Sequence, residues 1–274
     1  MNHKYSLFLL SLIVLSLILS GIILYFIFKN DSSPHSSLFD SESDLYAVVD
    51  IFPHDPDAFT QGLVLDNGIL FEGTGLFGKS SIRKINLTTG SILQSRDLSS
   101  EYFGEGIAVY DSKLIQLTWR SCKGFVYDKK NFSLFTDFSY PTEGWGITFT
   151  GDYLVMSDGS ENLYFLDPHN FTKAYSIQVH YKGTTISGLN ELEYVKGEIY
   201  ANLFPTDYIV RIDPSTGRVN GWLNLTGLMD MENYGKKIDV LNGIAFDENT
   251  NRLFVTGKFW PYIFALNLFS LSKF

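Results

Sequence analysis

The chain has 274 residues, of which 45% are apolar and 16% aromatic, a composition that excludes a disordered protein and favours a strand-rich core. Its formal net charge of −9 provides no basic footprint to neutralise phosphates, which argues against a nucleic-acid partner. The single cysteine, Cys122, excludes a disulfide framework and a cysteine-based zinc site, and the five histidines form no HExxH pair.

The first predicted element is a transmembrane helix near the N-terminus. No charged residue occurs between Lys4 and Lys29, and the 24 residues between them would span about 36 Å as a helix, enough to cross a hydrocarbon core of about 30 Å. A cleaved signal peptide is the alternative, but its apolar region usually has only about 7–15 residues. We therefore predict that residues 1–29 form a short cytoplasmic tail and an uncleaved signal-anchor helix.

A polar stalk, residues 30–44, follows the helix and is rich in Ser and Asp. Beyond it, the acceptor sequence for N-linked glycans, Asn-x-Ser/Thr, occurs at four positions in or beside turn-like stretches. These positions are Asn86, Asn131, Asn170 and Asn224. A fifth sequon, at Asn30, lies too close to the expected bilayer to be used. Glycosylation of the four would place the main domain in a lumen, so we predict a single-pass protein of the secretory-pathway membrane, in the endoplasmic reticulum or Golgi.

Five repeats organise the rest of the chain. Each opens with a short motif, and the first residues of successive motifs are 44, 40, 45 and 52 positions apart. The opening residues are Gln61, Glu105, Trp145, Asn190 and Asn242. After each of them the sequence predicts an apolar strand, a turn and further strands. Four strands per unit of this length is the spacing of a β-propeller blade.

The fifth repeat has only three predicted strands, whereas residues 45–52, which precede the first repeat, read as a lone strand. As the outer strand of the fifth blade, this segment would close the ring and cover an open edge. A β-sandwich is the alternative, but it leaves the five aligned openings unexplained. The sequence therefore predicts an all-β fold with an N-terminal transmembrane helix. Its main domain is a five-bladed β-propeller over residues 45–268, followed by a C-terminal tail, residues 269–274.

Propeller geometry brings the five openings together, because the innermost strand of every blade starts at the same mouth of the central channel. The loops that follow the second strands return to this mouth. They contribute Trp119, Asp158, Phe204 and Lys258. One face therefore gathers a carboxylate, amides, a lysine and aromatic rings, as in a pocket for a small molecule.

Six motifs, in order along the chain, carry a resemblance to a known family. They are Phe59-Thr60-Gln61-Gly62-Leu63, Phe103-Gly104-Glu105-Gly106, Leu117-Thr118-Trp119, Glu143-Gly144-Trp145-Gly146, Leu189-Asn190-Glu191-Leu192-Glu193-Tyr194 and Thr256-Gly257-Lys258-Phe259-Trp260-Pro261. Together they resemble the plant-type, or papaya-type, glutaminyl-peptide cyclotransferases over residues 45–268. The resemblance implies a five-bladed propeller that acts as an acyltransferase, converting N-terminal glutamine of peptides and proteins to pyroglutamate with release of ammonia. It also implies catalysis without a cofactor, and a structural calcium ion in the channel.

The resemblance further assigns roles to individual residues. It implies that Glu105 is the general acid and base, with Lys258 and Asn190 as further catalytic groups. The substrate-binding residues that it implies are Gln61, Phe59, Phe103, Trp119, Trp145 and Phe204. Phe204 departs from the family, which commonly has Trp at this position, and phenylalanine offers less stacking area and no indole N–H.

The chemistry requires the same parts without the resemblance. Cyclisation joins two groups of one residue, so the enzyme mainly has to select the folded conformer. One carboxyl can then move a proton from the attacking amine to the departing ammonia. Two other functions stay open on the residues alone: a catalytically silent propeller that binds peptide N-termini or glycans, and a calcium-dependent propeller hydrolase. We expect a monomer.

Five polar residues outside these roles have ordinary structural interpretations. Asp158 is expected to begin a turn, and Glu191 and Glu193 are expected to be structural or to face the channel. Cys122 is interpreted as a free thiol. His54, next to a proline, is interpreted as an ordinary turn residue.

Overall fold

The computed structural model of the chain describes residues 43–229 and 237–269. These residues form five four-stranded sheets and one small hairpin. The strands are β1 (Leu45–Pro53), β2 (Thr60–Asp66), β3 (Ile69–Thr74), β4 (Ser81–Ile85), β5 (Ile92–Asp97), β6 (Gly104–Tyr110), β7 (Lys113–Thr118), β8 (Lys123–Asp128), β9 (Leu134–Ser139), β10 (Ile147–Phe149), β11 (Leu154–Ser157), β12 (Asn162–Leu166), β13 (Lys173–Gln178), β14 (His180–Tyr181), β15 (Thr184–Thr185), β16 (Leu189–Val195), β17 (Glu198–Leu203), β18 (Tyr208–Ile212), β19 (Val219–Asn224), β20 (Leu241–Asp247), β21 (Arg252–Gly257) and β22 (Tyr262–Phe269).

The sheets are the blades of a propeller, which confirms the predicted fold class. Each of the first four blades has four consecutive antiparallel strands, beginning at β2, β6, β10 and β16. The first strands of the blades are the innermost, and they follow one another around the channel until β20 lies against β2. Burial falls from the channel outwards: β6 is almost wholly buried, whereas β5, the outer strand of the first blade, is exposed along most of its length.

The hydrophobic cores lie between neighbouring blades, because each sheet is apolar on both faces near the channel. Representative core residues are Phe71, Ile107 and Leu114 between the first and second blades, Ala108, Ile147 and Leu154 between the second and third, Val195, Ile244 and Leu253 between the fourth and fifth, and Leu63, Ala245 and Phe254 between the fifth and first. Fully burying one large apolar side chain contributes about 1.5–3 kcal/mol, so blade-to-blade packing holds the inner strands in register.

The segment before the first repeat completes the fifth blade, as predicted. Strand β1 pairs antiparallel with β22, from Leu45 opposite Phe269 to Pro53 opposite Tyr262. The fifth sheet therefore has the order β1-β22-β21-β20, so one strand from the beginning of the domain joins three strands from its end. Because the outer edge of this blade is paired, the ring is closed by backbone hydrogen bonds.

The hairpin β14–β15 was not predicted. Its turn is Lys182-Gly183, and both residues have positive φ, 47° and 85°, as a two-residue type I′ turn requires. The hairpin lies against the fourth blade, where the backbone N–H of His180 donates to the carbonyl of Gly217 at 2.9 Å. It is an insertion between the third and fourth blades, too short for the strand periodicity to reveal.

The predicted N-terminal helix and tail, residues 1–29, lie outside the described residues, as do most of the predicted stalk and residues 270–274 of the predicted C-terminal tail. Within ranges 43–229 and 237–269, no helix is long and apolar enough to cross a membrane.

His54 links the fifth blade to the first, so the interpretation as an ordinary turn residue is wrong. Its Nδ1 lies 2.6 Å from the carbonyl oxygen of Trp260, and its Nε2 lies 2.9 Å from Oε1 of Glu72 on β3. Both ring nitrogens face acceptors, so both donate and the imidazole is protonated. Burial alone would lower the pKa of His54, but the charge and hydrogen bond of Glu72, with help from Trp260 and Asp55, raise it overall.

We predict that this buried ion pair stabilises the propeller in a pH-dependent way. A histidine whose pKa is raised on folding contributes stability that is fully present below its unfolded pKa, about 6.5, and that is lost as pH rises through the raised folded value. Removing one partner of a buried pair costs about 3–5 kcal/mol. We therefore expect His54→Gln to lower Tm strongly near pH 6, and by progressively less towards about pH 9.

The measurement is thermal unfolding of the wild type and the variant across that pH range. His169→Gln is the matched control, because the ring of His169 lies on the exposed surface and its loss should change Tm far less. A Tm difference between wild type and His54→Gln that stays constant with pH would contradict the assignment.

Candidate active site

β-Bulges place the opening residues at the channel mouth. In four of the blades the pairing between the first and second strands slips at the start of the inner strand, between Thr60 and Gly62, Gly104 and Ile107, Leu189 and Leu192, and Leu241 and Ile244. The residues in these bulges include Gln61, Glu105, Asn190 and Asn242. A bulge bends its strand and re-aims the side chain it carries, which explains why polar residues sit in strands that are otherwise apolar.

Gln61 connects two of these polar side chains. Asn242 donates from Nδ2 to Oε1 of Gln61 at 3.1 Å and to the carbonyl oxygen of Thr60 at 3.0 Å. Because its carbonyl oxygen is occupied in this way, Gln61 turns its NH₂ group to Glu105, with which it forms a side-chain hydrogen bond. Gln61, Glu105, Asn190 and Asn242 are all buried. They form the polar floor of the mouth, and this name is kept below for these four residues.

A closed series of contacts surrounds the polar floor. The ring of Phe59 lies 5.9 Å from that of Phe103, which lies 5.6 Å from that of Trp119. On the other side, Trp145 meets Phe204 edge to face at 5.7 Å, and Nζ of Lys258 lies 5.4 Å from the Phe204 ring centre. Nζ of Lys258 is also 4.8 Å from the ring centre of Phe59, which closes this side of the series.

Glu143 completes the series between the two tryptophans. Its Oε2 accepts hydrogen bonds from Nε1 of Trp119 at 2.6 Å and from Nε1 of Trp145 at 3.0 Å. We refer to the seven residues in this closed series as the mouth ring. The mouth ring consists of Phe59, Phe103, Trp119, Glu143, Trp145, Phe204 and Lys258. All five blades contribute to the mouth ring, from the segment before a first strand or the residue after a second strand.

The predicted site residues are therefore brought together at one mouth. Glu143 is the residue that the sequence analysis did not assign, although it lies in the Glu143-Gly144-Trp145-Gly146 motif. An acid two residues before a pocket tryptophan was the available signal. Its partner Trp119 lies 24 positions earlier in the chain, so the contact depends on the packing of the second blade against the third.

The surroundings of the mouth shift the pKa values of its two carboxyls, Glu105 and Glu143, in opposite directions. Burial raises the pKa of Glu105 well above its ordinary value of 4.5, with a further contribution from the charge of Glu143, while Lys258 and the hydrogen bond of Gln61 act in the opposite direction. Burial also lowers the pKa of Lys258, against the attraction of Glu105 and Asp239. Both buried groups are therefore shifted towards their neutral forms.

Glu143 is shifted the other way. Partial burial alone would raise its pKa, but hydrogen bonds from Trp145, Trp119 and Arg120 lower it overall. The surroundings therefore favour the ionised form of Glu143 and the neutral form of Glu105. Two carboxyls whose surroundings push their pKa values apart are the usual arrangement of an acid–base site.

Asp158, which the sequence analysis placed in a turn, is a turn residue in the structure. Its Oδ1 accepts the backbone N–H of Ser160 at 3.0 Å, and its Oδ2 accepts the hydroxyl of Tyr164 at 2.9 Å. The predicted thiol at Cys122 is free. Neither residue belongs to the polar floor or to the mouth ring.

Glu191 and Glu193 are structural, as predicted. Glu191 accepts the backbone N–H groups of Leu63 at 3.1 Å and Ile244 at 2.8 Å, and Glu193 accepts that of Phe246 at 2.9 Å. They thus tie the fourth blade to the first and fifth across the channel. Burial raises the pKa of Glu193 to about 8.

Glu191 is not free to bind the calcium ion that the resemblance implies. Both oxygens of Glu191 are occupied by N–H donors, which a cation would have to replace. Over residues 43–229 and 237–269, no group of three or more His, Cys, Asp or Glu side chains could hold a metal ion. Calcium also takes backbone and amide carbonyl oxygens, so a calcium ion in the channel stays a prediction from the resemblance.

Comparisons with known proteins agree with the motifs. The family model of glutamine cyclotransferase matches residues 22–268. A glutaminyl-peptide cyclotransferase of Arabidopsis thaliana is 44% identical over 227 residues, which cover 81% of this chain and 70% of that protein. The crystal structure of Myxococcus xanthus glutaminyl cyclase has 32% sequence identity and a TM-score of 0.77, and the match covers 84% of this chain and 99% of that one.

Proposed function

The chain belongs to the glutamine cyclotransferase family, and we propose that its channel mouth is the site where it converts N-terminal glutamine of peptides and proteins to pyroglutamate. The chain is an acyltransferase: the α-amine of the glutamine displaces ammonia from the γ-carboxamide of the same residue. The observation that carries the proposal is Glu105, a buried carboxyl with a raised pKa, beside Lys258 and Gln61.

Glu105 would move the one proton that the reaction transfers. The attacking amine forms a bond to the carbon of the γ-carboxamide, Cδ, and loses one proton, while the departing nitrogen breaks from that carbon and gains one to leave as ammonia. One carboxyl oxygen can take the first proton as the other delivers the second, so Glu105 ends each turnover in the proton state in which it began. A pKa shifted towards the working pH suits such a group.

The other polar groups at the mouth can stabilise the oxyanion that develops during the reaction. As the amine attacks, negative charge grows on the γ-carbonyl oxygen, and preorganised donors stabilise it. Lys258 and the amides of Asn190 and Gln61 are the proposed donors. Oδ1 of Asn190 is buried without a hydrogen-bond partner among the described residues, and a substrate N–H would relieve the free-energy cost of leaving it unpaired.

The aromatic members of the mouth ring suit the substrate side chain. Phe59, Phe103, Trp119 and Trp145 offer flat apolar surfaces that can enclose the glutamine methylenes and exclude water. Phe204 stands where members of the plant-type family commonly have Trp. Its side chain is 41% exposed at the rim of the mouth. We propose that it contacts the substrate at the entrance and leaves room there, because its ring is smaller than an indole.

We propose that catalysis needs no cofactor. The support is chemical: Glu105 supplies proton transfer, and Lys258 with the floor amides supplies polarisation of the carbonyl, so the reaction requires no additional acid. The expected result is full activity after exhaustive dialysis against a strong zinc chelator. Inactivation by the chelator that added zinc reverses would contradict this. A gain in stability on adding calcium, expected from the resemblance, stays a prediction.

Glu105→Gln tests the catalytic assignment. Gln keeps the size and hydrogen-bonding reach of the side chain but cannot titrate. Because general acid–base catalysis typically contributes 10²–10⁴-fold, we predict that kcat falls by about that factor, equivalent to about 3–5 kcal/mol in the barrier. KM should change little, because the walls of the mouth ring remain. The measurement is steady-state ammonia release from a peptide with N-terminal glutamine, using the full chain.

Glu101→Gln is the matched control for Glu105→Gln. Glu101 is an exposed acid four residues earlier in the chain. Among the described contacts, its side chain accepts one hydrogen bond, from the hydroxyl of Ser99 at 3.2 Å. The kcat of Glu101→Gln should therefore equal that of the wild type. A folded Glu105→Gln protein, checked by circular dichroism, that retains more than about a tenth of the wild-type kcat would show that the proton moves through another group.

We propose that residues 1–29 anchor the enzyme as a signal-anchor helix in a secretory-pathway membrane, with the propeller in the lumen as a monomer. The apolar segment supports the anchor, and closure of the ring within one chain supports the monomer. The four sequons of the main domain support the lumenal side. Asn86, Asn131 and Asn170 are exposed in turns between third and fourth strands, at the opposite mouth from the polar floor, and Asn224 is half-buried at the end of β19.

The topology proposal predicts N-linked glycans at one or more of these four asparagines when the full chain is made in a eukaryotic host. Because glycans are added only on the lumenal side, endoglycosidase should increase the gel mobility of the membrane-bound protein. Replacing all four asparagines with Gln, while keeping Asn30, should abolish the shift. Unchanged mobility of the wild-type protein, recovered from membranes, would contradict the lumenal orientation.

A further inference from the structure

We propose that Glu143 is a positioning residue that holds Trp119 and Trp145 as facing walls of the glutamine pocket. This inference deepens the proposed function and rests on it. The geometry that carries it is a single carboxylate oxygen, Oε2, bound by both indole N–H groups, at 2.6 Å and 3.0 Å. No other member of the mouth ring makes side-chain hydrogen bonds to two of its neighbours among the described contacts.

The shared acceptor matters because the two tryptophans come from different blades. Trp119 follows β7 of the second blade, and Trp145 precedes β10 of the third. An indole has one donor, its Nε1–H, which usually finds a partner when the ring is buried. With both donors on one oxygen, neither ring can rotate or withdraw without losing a hydrogen bond to a charged group, the stronger kind. Glu143 therefore fixes the spacing between two walls that separate sheets present.

The backbone around Glu143 supports the same geometry. Gly144, the next residue, donates its N–H to the carbonyl of Trp119 at 3.2 Å, and Gly106, next to Glu105, donates to the carbonyl of Trp145 at 2.7 Å. The main chain thus joins the same two loops that the Glu143 side chain joins. The two indole rings also pack on phenylalanine rings, Trp119 on Phe103 and Trp145 on Phe204.

An ordinary surface ion pair does not explain Glu143. Its contact with Arg120, at 3.2 Å from Nε to Oε1, joins side chains that are 69% and 37% exposed, and such pairs contribute little to stability. The guanidinium of Arg120 instead lies 3.9 Å from the ring centre of Trp119, on the solvent side. Arg120 is therefore a convenient comparison: its loss removes the ion pair but leaves both indole hydrogen bonds.

The charge of Glu143 gives it a second effect, on Glu105. Lys258, Glu143, Gln61 and Tyr140 lie near Glu105, and the charge of Glu143 favours the neutral carboxyl. Removing the charge of Glu143 should lower the pKa of Glu105. The limb of the pH–rate profile that belongs to Glu105 should then move to lower pH.

Two variants separate the two roles. Glu143→Ala removes both indole acceptors, so KM for a glutamine peptide should rise about 10- to 100-fold, the loss expected for a hydrogen bond to a charged group. Glu143→Gln keeps an acceptor oxygen but no charge, so KM should recover to within a few-fold of the wild type. In both variants the Glu105 limb of the kcat/KM profile should move to lower pH. Arg120→Gln should change KM far less than Glu143→Ala.

A readout that needs no activity keeps the inference separate from the proposed function. The chain has four tryptophans, hence four indole N–H signals in a nitrogen–proton correlation spectrum, which single Trp→Phe variants assign. In Glu143→Ala the signals of Trp119 and Trp145 should shift and exchange faster with solvent. The signal of Trp260, which donates to the carbonyl of Asp239 at 2.8 Å, should stay in place.

The outcomes are distinct. If the wild type releases ammonia and Glu105→Gln abolishes this, but a folded Glu143→Ala protein keeps the wild-type KM, pH profile and indole signals, the positioning role is wrong and the proposed function stands. If Glu143→Ala does not fold, Glu143→Gln and the wild type decide. An unmoved pH profile in Glu143→Gln overturns the electrostatic role, and fast solvent exchange of the Trp119 and Trp145 indole N–H groups in the wild type overturns the positioning role. If the wild type releases no ammonia, the proposed function fails on its own.

Discussion

The bulge at the start of an inner strand is the constraint on which the site depends. A regular strand would alternate its side chains between the two apolar faces of a blade, and a glutamate there would enter a blade-to-blade core. The slip between Gly104 and Ile107 instead leaves Glu105 out of the alternation, and equivalent slips do the same for Gln61 and Asn190. Repetition of the bulge in four of the five blades then converts a local irregularity into a polar floor, because every inner strand begins at the same mouth.

Burial of this floor produces its chemistry. Water is the usual partner of a glutamate, and its removal is the main reason why the pKa of Glu105 is raised. The aromatic rings that exclude the water are held by an ionised acid, Glu143, whose charge acts on Glu105 in the same direction. Packing and electrostatics in this pocket are therefore linked: the contacts that shape the walls also set the proton affinity of the group that they enclose.

The repeats predicted the architecture because each blade is specified locally, by turns and apolar runs that recur at blade length. Even the pairing of β1 with β22 could be predicted, since a missing strand and a spare strand stood at opposite ends. The role of His54 could not, because its partner Trp260 lies 206 positions away and a single histidine beside a proline carries no pattern. The site residues came from motifs, whereas the role of Glu143 depends on how two blades pack.

We predict that Glu105 is a neutral carboxylic acid in the free enzyme at neutral pH. Infrared difference spectroscopy of the wild type against Glu105→Gln measures this directly, because the other buried acids, Glu72, Glu191 and Glu193, are common to both proteins and cancel. We predict a carbonyl stretch of a protonated carboxyl in the wild type that is absent from the variant and that disappears as pH is raised. A difference spectrum at neutral pH that contains only the bands of an ionised carboxylate would contradict the account.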